Sequence, residues 1–460
     1  MQESTKQSVN SSNDYILTSG PIEGIHLQAT IQADNAAALV HKASAQTVQA
    51  LSLTPDGRID SQHIKPQFRS LQVQINKDTL GKTHQVYDLL QKESIDKGSE
   101  LVLQSVFGKA LPINKRGLVN QQLETGVTII DSLFPVVKGQ RIAVIGDAKA
   151  GKSSMLSQAA IHHLKNSNSI AVFVEIAKRK QDIEKLAFRL YQAGVMDRSI
   201  IVVADALDNI VLQYLAPFVG CALAEHYWQQ NDVMVVYDDL ATHAKVYREM
   251  ALQLGMQPGR ESYPADLFYV HASLLERAGL NAETGKSLTA FAVATTPNDD
   301  LTGYFPTNMI STADGQLVFD LKTMRQGIRP ALNIGLSVSR VGGRAQSAYY
   351  QNMSERILQS LAAYSEVETY SRFNTKLSVA SQKNLAVGRK LFELFIQDLG
   401  GTYTLPMQRV MLETIFLSEE PNKLNVSWLK AVIGDVVKPD TKESDYRELA
   451  KDLLKSNPEI

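Results

Sequence analysis

From Tyr15 to about Leu80 apolar and polar residues alternate in short runs, such as Ile25-His-Leu-Gln-Ala-Thr-Ile31 and Leu71-Gln-Val-Gln-Ile75, broken by glycine and Asp-Gly turns. A period of two puts every second side chain on one face, so residues 15–85 predict a small β domain. Val86 to Lys97 has helical spacing, and Leu101 to Phe107 predicts a strand leading into an irregular segment. The pattern then changes. Apolar strands alternate with longer helical stretches: strand Arg141 to Ile145, helix Ser153 to Lys165, strand Ser169 to Ile176, helix Arg179 to Gln192, strand Ile200 to Ala204, helix Ile210 to Gln230, strand Val233 to Tyr237. That order predicts a parallel sheet with crossover helices, the layout of a nucleotide-binding core over residues 86–346. Beyond Gly343 strand signals fade, and residues 347–460 carry amphipathic helical periods such as Ala386 to Gln397 and Met407 to Phe416. The charged stretch Lys438 to Lys455 is expected to be a solvated helix face.

Composition narrows the classes. A sequence of 460 residues with 44% apolar and 21% charged residues is globular and long enough for two or three cores. Lys+Arg at 47 against Asp+Glu at 48 gives a net charge of −1, which supplies no electrostatic reason to expect nucleic acid or an anionic membrane as a partner. The single cysteine, Cys221, lies in an apolar run, is expected in the core, and fits a reducing compartment. Residues 1–14 form a polar tail without the apolar stretch of a secretory signal. The longest apolar stretch, Ile210 to Ala224, is shorter than the ~20 residues of a membrane helix, so any membrane association is expected through other subunits.

The chemistry begins at Gly146-Asp147-Ala148-Lys149-Ala150-Gly151-Lys152-Ser153, followed by Ser154. Glycines at this spacing let backbone N–H groups curl around phosphate oxygens at a helix N-terminus; Lys152 would contact the terminal phosphates and Ser153 would ligate magnesium. A strand precedes the loop and a helix follows it, which an ordinary glycine turn does not require. Val233-Met-Val-Val-Tyr-Asp238-Asp239 is an apolar strand ending in carboxylates. Asp239 is placed to cap the helix beginning near Thr242, and Asp238 is the better magnesium candidate, through water.

These residues, with others, resemble the F-type ATP synthase alpha subunit. The resemblance is carried by Glu124-Thr-Gly126, Asp131-Ser-Leu-Phe-Pro135, Gly139-Gln-Arg141, Leu212-Gln-Tyr-Leu-Ala-Pro217, Gly220-Cys-Ala222 and Tyr237-Asp-Asp-Leu240. It continues through Pro258-Gly-Arg-Glu261, Leu274-Leu-Glu-Arg-Ala278, Pro306-Thr-Asn308, Ser311, Asp314-Gly-Gln316, Gly327-Ile-Arg-Pro330 and Gly335-Leu-Ser-Val-Ser-Arg340-Val-Gly342. The resemblance implies a multidomain α/β protein: an N-terminal β-barrel, a central RecA-like P-loop domain with a parallel sheet, and a C-terminal helical bundle. It also implies a hexameric ring alternating with a catalytic beta-type subunit around a central shaft, peripheral-stalk contacts, ATP/ADP and Mg2+ as ligands, and proton transport by the whole complex. Such a subunit would sit on the cytoplasmic side of the cell membrane, attached through other subunits. Ser311 and the glycine loop would contact nucleotide, and Arg340 would reach across the interface to the partner's terminal phosphates.

Hydrolysis needs a group to orient the attacking water, and in beta-type subunits this is a glutamate just beyond the strand after the glycine-loop helix. Here Lys178 stands at that place, and a protonated lysine cannot accept the water's proton. The protein's own site is therefore expected to be silent, with Lys178 adding positive charge for phosphate binding. The sequence departs from the usual alpha pattern at Ala148-Lys149-Ala150 inside the loop, at Lys178 in place of Gln, and in Gln397-Asp-Leu-Gly-Gly-Thr-Tyr-Thr-Leu-Pro406-Met407, where a Gln-x-Gln is usual. Three alternatives stay open: an autonomous homo-hexameric P-loop ATPase, an alpha-like subunit of a specialised rotary motor, and a ring subunit that has lost nucleotide binding.

Overall fold

The computed structural model describes residues 10–13, 16–19, 27–33, 36–43, 47–55, 64–90, 101–371 and 378–458. They fall into two compact units, one of residues 1–118, 139–143 and 168–313 and the other of residues 119–138, 144–167 and 314–460.

In the first unit the N-terminal strands form a six-stranded antiparallel sheet in the order Asn10–Asn13, Ile16–Ser19, Val48–Ser52, Ala36–Ala43, Ala29–Ala33, Ile64–Ser70. Its buried side packs Leu17, Ala29, Ala38, Val40, Val48 and Ala50. Two expectations are corrected here. Asn10–Asn13, read as part of a polar tail, pairs with Ile16–Ser19. The barrel is, among the described residues, an open sheet whose outer strands are not paired to each other. Alternation reports a buried face; closure depends on strand tilt and stagger, which alternation does not encode. Residues 20–26 and 91–100, which hold parts of the predicted strand and helix, lie outside the described residues.

The same unit holds a parallel sheet in the order Ser287–Thr295, Val233–Asp238, Ile170–Lys178, Ser199–Asp205, Thr83–Gln85. All residues of Val233–Asp238 and the first seven of Ile170–Lys178 are buried, as a sheet covered on both faces requires. The covering helix Ile210–Trp228 is buried from Val211 to Ala224, including Cys221. It lies close against the sheet because of Gly220, where a Cβ would meet Val174 at 2.2 Å. Its first turn is set by Asn209, whose Oδ1 accepts from Val211 N while its Nδ2 donates to Ser52 O and Thr54 O at 3.0 and 3.1 Å.

Beneath this helix two imidazoles share a hydrogen bond, His243 Nδ1 to His271 Nε2 at 2.9 Å, and His243 Nε2 lies 2.9 Å from Tyr214 O. A carbonyl only accepts, so Nε2 of His243 donates, its Nδ1 accepts, and His271 Nε2 donates. Burial pushes His243 down to about 4, and burial with the neighbouring His243 pushes His271 well below its ordinary value.

In the second unit the strand end Val144–Gly146 leads into the helix Lys152–Lys165, and Gly315–Phe319 pairs antiparallel with Val338–Ser339. Helices Ala348–Ser371, Val379–Phe395, Leu405–Leu417, Val426–Val436 and Tyr446–Ser456 follow, and no strand occurs after Ser339 among the described residues. The last of them, predicted as a solvated face, buries Tyr446, Ala450 and Leu453 and exposes its charges. The core of this unit holds Asp131, a fully buried carboxylate. Oδ1 accepts from Thr125 N and Oγ1 at 3.0 and 2.8 Å, and Oδ2 accepts from Gly126 N and Gln408 Nε2 at 2.9 and 2.8 Å. Burial pushes Asp131 above the usual carboxylate range, against the pull of those donors. Next to Gln408, Arg409 donates to Ser132 Oγ and Asp131 O and lies over the Tyr350 ring at 4.4 Å. The helix Leu405–Leu417 is thus fastened to residues 125–132 by polar bonds in a dry place.

Two stability measurements follow. Unfolded, each imidazole takes up a proton below about pH 6.5, while folded His243 resists down to about pH 4. Stability is therefore complete above about pH 6.5 and declines as pH falls toward 4, by about 1.4 kcal/mol per pH unit for each histidine. Denaturant melts across that range are expected to show this decline, and His271→Phe to make it shallower. Asp131→Ala strands the donors of Thr125, Gly126 and Gln408 and is expected to cost about 3–5 kcal/mol in urea unfolding.

Candidate functional site

The glycine loop belongs to the second unit. Gly146, Lys149 and Gly151 have φ of +152°, +65° and +95°, and these left-handed turns fold the loop into the N–H-lined concavity that binds anions. At Gly146 a Cβ would sit 2.4 Å from Phe319 O, so glycine is required there. The helix Lys152–Lys165 begins at Gly151 with no side-chain cap. Ala148, Lys149 and Ser153 are exposed, Asp147 and Ser154 half-buried, and Ala150 and Lys152 buried. Lys152 Nζ donates to Gly146 O and Asp147 O at 2.8 and 2.7 Å, holding the ammonium against the loop. All the loop residues singled out by sequence are therefore brought together.

Beside Ala150 and Gly151, still within this unit, is a cavity of about 400 Å³ lined by Val127, Met155, Phe319, Met324, Pro330 and Leu399. Its size and apolar walls suit a flat base. The nearest side-chain amide is committed: Gln397 Oε1 accepts from Thr128 N at 2.7 Å, and its Nε2 donates to Gly126 O and Gly401 O at 2.9 and 2.7 Å. Gln158 Nε2 likewise faces Asp398 O and Gly401 O at 3.3 Å. Sequence reasoning missed this wall. Gly327-Ile-Arg-Pro330 stands among the resembling runs, yet nothing in its spacing says that Pro330 lines a cavity.

Arg340, also in the second unit, follows the strand Val338–Ser339 and has an exposed side chain. Its backbone is held tightly: Arg340 N donates to Asp314 O at 3.1 Å and Ser339 Oγ donates to Pro135 O at 2.7 Å. At Gly342 a Cβ would lie 2.4 Å from Pro135 O, so the backbone passes Pro135 closely on both sides of Arg340. Arg344 is exposed as well.

The remaining candidates are in the first unit. Ser311, exposed on the helix Tyr304–Thr312, donates to Thr307 O at 2.9 Å. Lys178 and Asp238 meet: Nζ to Oδ1 is 2.7 Å, with Asp238 5% and Lys178 26% exposed. A bulge brings this about. The parallel register shifts between Ile176 and Lys178, and Ala177 has φ +51°. The extra residue cancels one step of the alternation, so that the buried Glu175 and Lys178 act on the same neighbour, Asp238. Burial, with Asp238 adding to it, pushes Glu175 well above its ordinary value. Burial opposes the charge on Lys178, but the nearby carboxylates, Asp238 first, outweigh it and hold Lys178 above its ordinary value. Asp239 caps the helix Leu240–Gln253 as its position predicts, accepting from Thr242 N at 2.5 Å, and its Oδ2 accepts from Thr295 Oγ1 at 2.7 Å.

Magnesium fits this acid cluster poorly. Asp239 accepts neutral donors on both oxygens, and Asp238 Oδ1 already holds the Lys178 ammonium. Within this cluster the carboxylate of Asp238 is paired with Lys178 and is not a free base.

Comparison with known proteins agrees with these parts. Residues 126–339 match the nucleotide-binding domain of the ATP synthase alpha/beta family, and residues 346–430 match the C-terminal domain of that family. ATP synthase subunit alpha of Clostridium botulinum (strain Alaska E43 / Type E3) is 38% identical over 351 residues, covering 75% of this sequence and 68% of the relative. That of Acholeplasma laidlawii is 38% identical over 345 residues, covering 74% and 68%. The mitochondrial ATP synthase subunit alpha of Dictyostelium citrinum is 36% identical over 368 residues, covering 78% and 70%. A glycine loop on a strand-helix junction, a parallel sheet, a trailing helical region and relatives of this extent together place the protein in the ATP synthase alpha/beta family, as an F-type alpha subunit.

Proposed function

We propose that this protein is a non-catalytic, regulatory alpha-type subunit of a rotary ATP synthase or ATPase. It donates Arg340 to the nucleotide site of a beta-type partner and holds ATP or ADP on its own glycine loop without turning it over. The observation that carries this reading is the Lys178–Asp238 pair at 2.7 Å, an ion pair where a catalytic subunit needs a free carboxylate. A subunit with no group to accept the water's proton contributes to hydrolysis by supplying charge elsewhere. Arg340, exposed on a backbone clamped to Pro135 and Asp314, is built to present a guanidinium outward. Such a group neutralises charge developing on a transferred phosphoryl and is worth ~10³–10⁵ in rate.

The same reading assigns Gly146 to Ser154 to the phosphates, the cavity of Phe319, Met324 and Pro330 to the base, and Ser311 and Lys178 to supporting contacts. It places the protein in an alternating ring with beta-type subunits around a central shaft and under a peripheral stalk. Among the described residues no helix is long and apolar enough to cross a membrane, so attachment to the cytoplasmic face of a proton-translocating membrane unit is through other subunits. An autonomous homo-hexameric ATPase is the competing reading, and Lys178 counts against it.

Two measurements test this. The purified protein alone is expected to release no phosphate from ATP above background; robust turnover would establish the homo-hexameric reading instead. In a ring reconstituted with its beta-type partner, Arg340→Ala is expected to lower hydrolysis by at least ~10³-fold. Arg340→Lys is expected to recover only a small part, because an ammonium lacks the planar fork of donors. Undiminished activity in the Arg340→Ala ring would refute the assignment.

A further inference from the structure

The cavity beside the glycine loop leads further, and all the residues that line it lie in the second unit. An apolar slot takes any flat base, so the choice among bases falls to the polar atoms at its edge. Away from the loop those come from Gln158, Gln397, Arg329 and Asp398. An amide nitrogen carries two hydrogens, and both glutamines have spent theirs. Gln397 Nε2 donates to Gly126 O and Gly401 O at 2.9 and 2.7 Å, and Gln158 Nε2 to Asp398 O and Gly401 O at 3.3 Å. Asp398 and Arg329 are exposed, and among the described residues neither side chain has a hydrogen bond or an ion pair. Gln397 N donates to Arg329 O at 2.7 Å, which sets the two charged residues on adjoining stretches of the rim. The rim thus offers a base acceptor oxygens and one guanidinium, and no side-chain amide hydrogen.

Guanine and adenine differ at that edge. Guanine presents N1–H and N2–H2 side by side, a match for the two oxygens of a carboxylate, and O6 with N7, a match for a guanidinium. Adenine presents one amino group beside the N1 lone pair, so a carboxylate that accepts from N6 sets its second oxygen against that lone pair. We propose that this pocket ranks guanine above adenine, Asp398 reading the N1–H and N2–H2 edge and Arg329 the O6 and N7 side. GTP and GDP then bind more tightly than the ATP and ADP that the site also takes. The inference rests on the reading of the glycine loop and its cavity as a nucleotide site. It changes only the base, since Gly146 to Ser154 meet the phosphates in either case. A site that does not turn its nucleotide over thereby answers to guanine nucleotide, while the partner's catalytic site works on adenine nucleotide.

The test uses the full-length protein with N-methylanthraniloyl-GDP and N-methylanthraniloyl-ADP, labelled on the ribose so that the base is untouched, and displaces each with unlabelled GDP, IDP and ADP. A bidentate pair to a base edge discriminates about 5- to 150-fold. GDP is therefore expected to displace either probe at a concentration at least about tenfold lower than ADP, with IDP, which lacks the N2 amino group, in between. Asp398→Ala is expected to bring GDP and ADP within about threefold of each other, chiefly by weakening GDP. Asp398→Asn offers one donor and one acceptor, the pair that suits adenine, and is expected to put ADP ahead of GDP. Thermal melts of both variants check that they fold. ADP displacing as well as GDP from wild type, or an unchanged GDP-to-ADP ratio in Asp398→Ala, overturns this inference and leaves the nucleotide site standing. Absence of binding by both probes overturns the nucleotide site and this inference with it. Should the variants fail to fold, the wild-type order of GDP, IDP and ADP still decides the matter.

Discussion

A carboxylate taken out of water has to be met by donors, by a cation or by a proton, and this protein uses all three solutions at the positions that shape it. Asp131 is met by donors from Thr125, Gly126 and Gln408, and so ties the helix Leu405–Leu417 to the segment ahead of it. Glu225 is met by the buried guanidinium of Arg277 at 2.6 Å, which also donates to Val106 O. Asp238 is met by Lys178, and burial pushes Glu175 well above its ordinary value, toward the third solution. The cluster at Asp238 is thus solved with an ammonium.

That solution is small in sequence and large in chemistry. The sheet, the glycine loop and the covering helix are those of a nucleotide-handling fold. The proposed silence of the site rests on the charge at the end of a single strand, Lys178 on Asp238. A fold specifies where a nucleotide can lie, and individual side chains specify what is done to it.

Much of this was legible in the residues alone. The continuous apolar runs Ile170 to Ile176 and Val233 to Tyr237 have to be covered strands, and they are; the loop Gly146 to Ser153 has the conformations its glycines permit; Asp239 caps the helix it precedes. These features are local, set by periodicity, backbone freedom or a bond to a residue three positions away. Features that depend on distant partners were not legible. The bulge at Ala177 is an alanine in a left-handed conformation, which no composition rule anticipates, yet it decides which way Lys178 points. Gln397 sits in a segment recognisable as unusual, but its commitment to Thr128 and Gly126 is visible only once residues more than two hundred positions apart are adjacent. That the N-terminal sheet is open among the described residues has the same origin, since pairing of its outer strands is a matter of stagger and tilt.

Asn209 shows what such long-range commitments do mechanically. One amide starts the longest buried helix of the first unit and grips the strand end at Ser52 and Thr54 from the same group of atoms. At Asn209 the N-terminal sheet and the helix are therefore joined by two hydrogen bonds, and a third fixes the helix's first turn from the same side chain, so a substitution there loosens both at once.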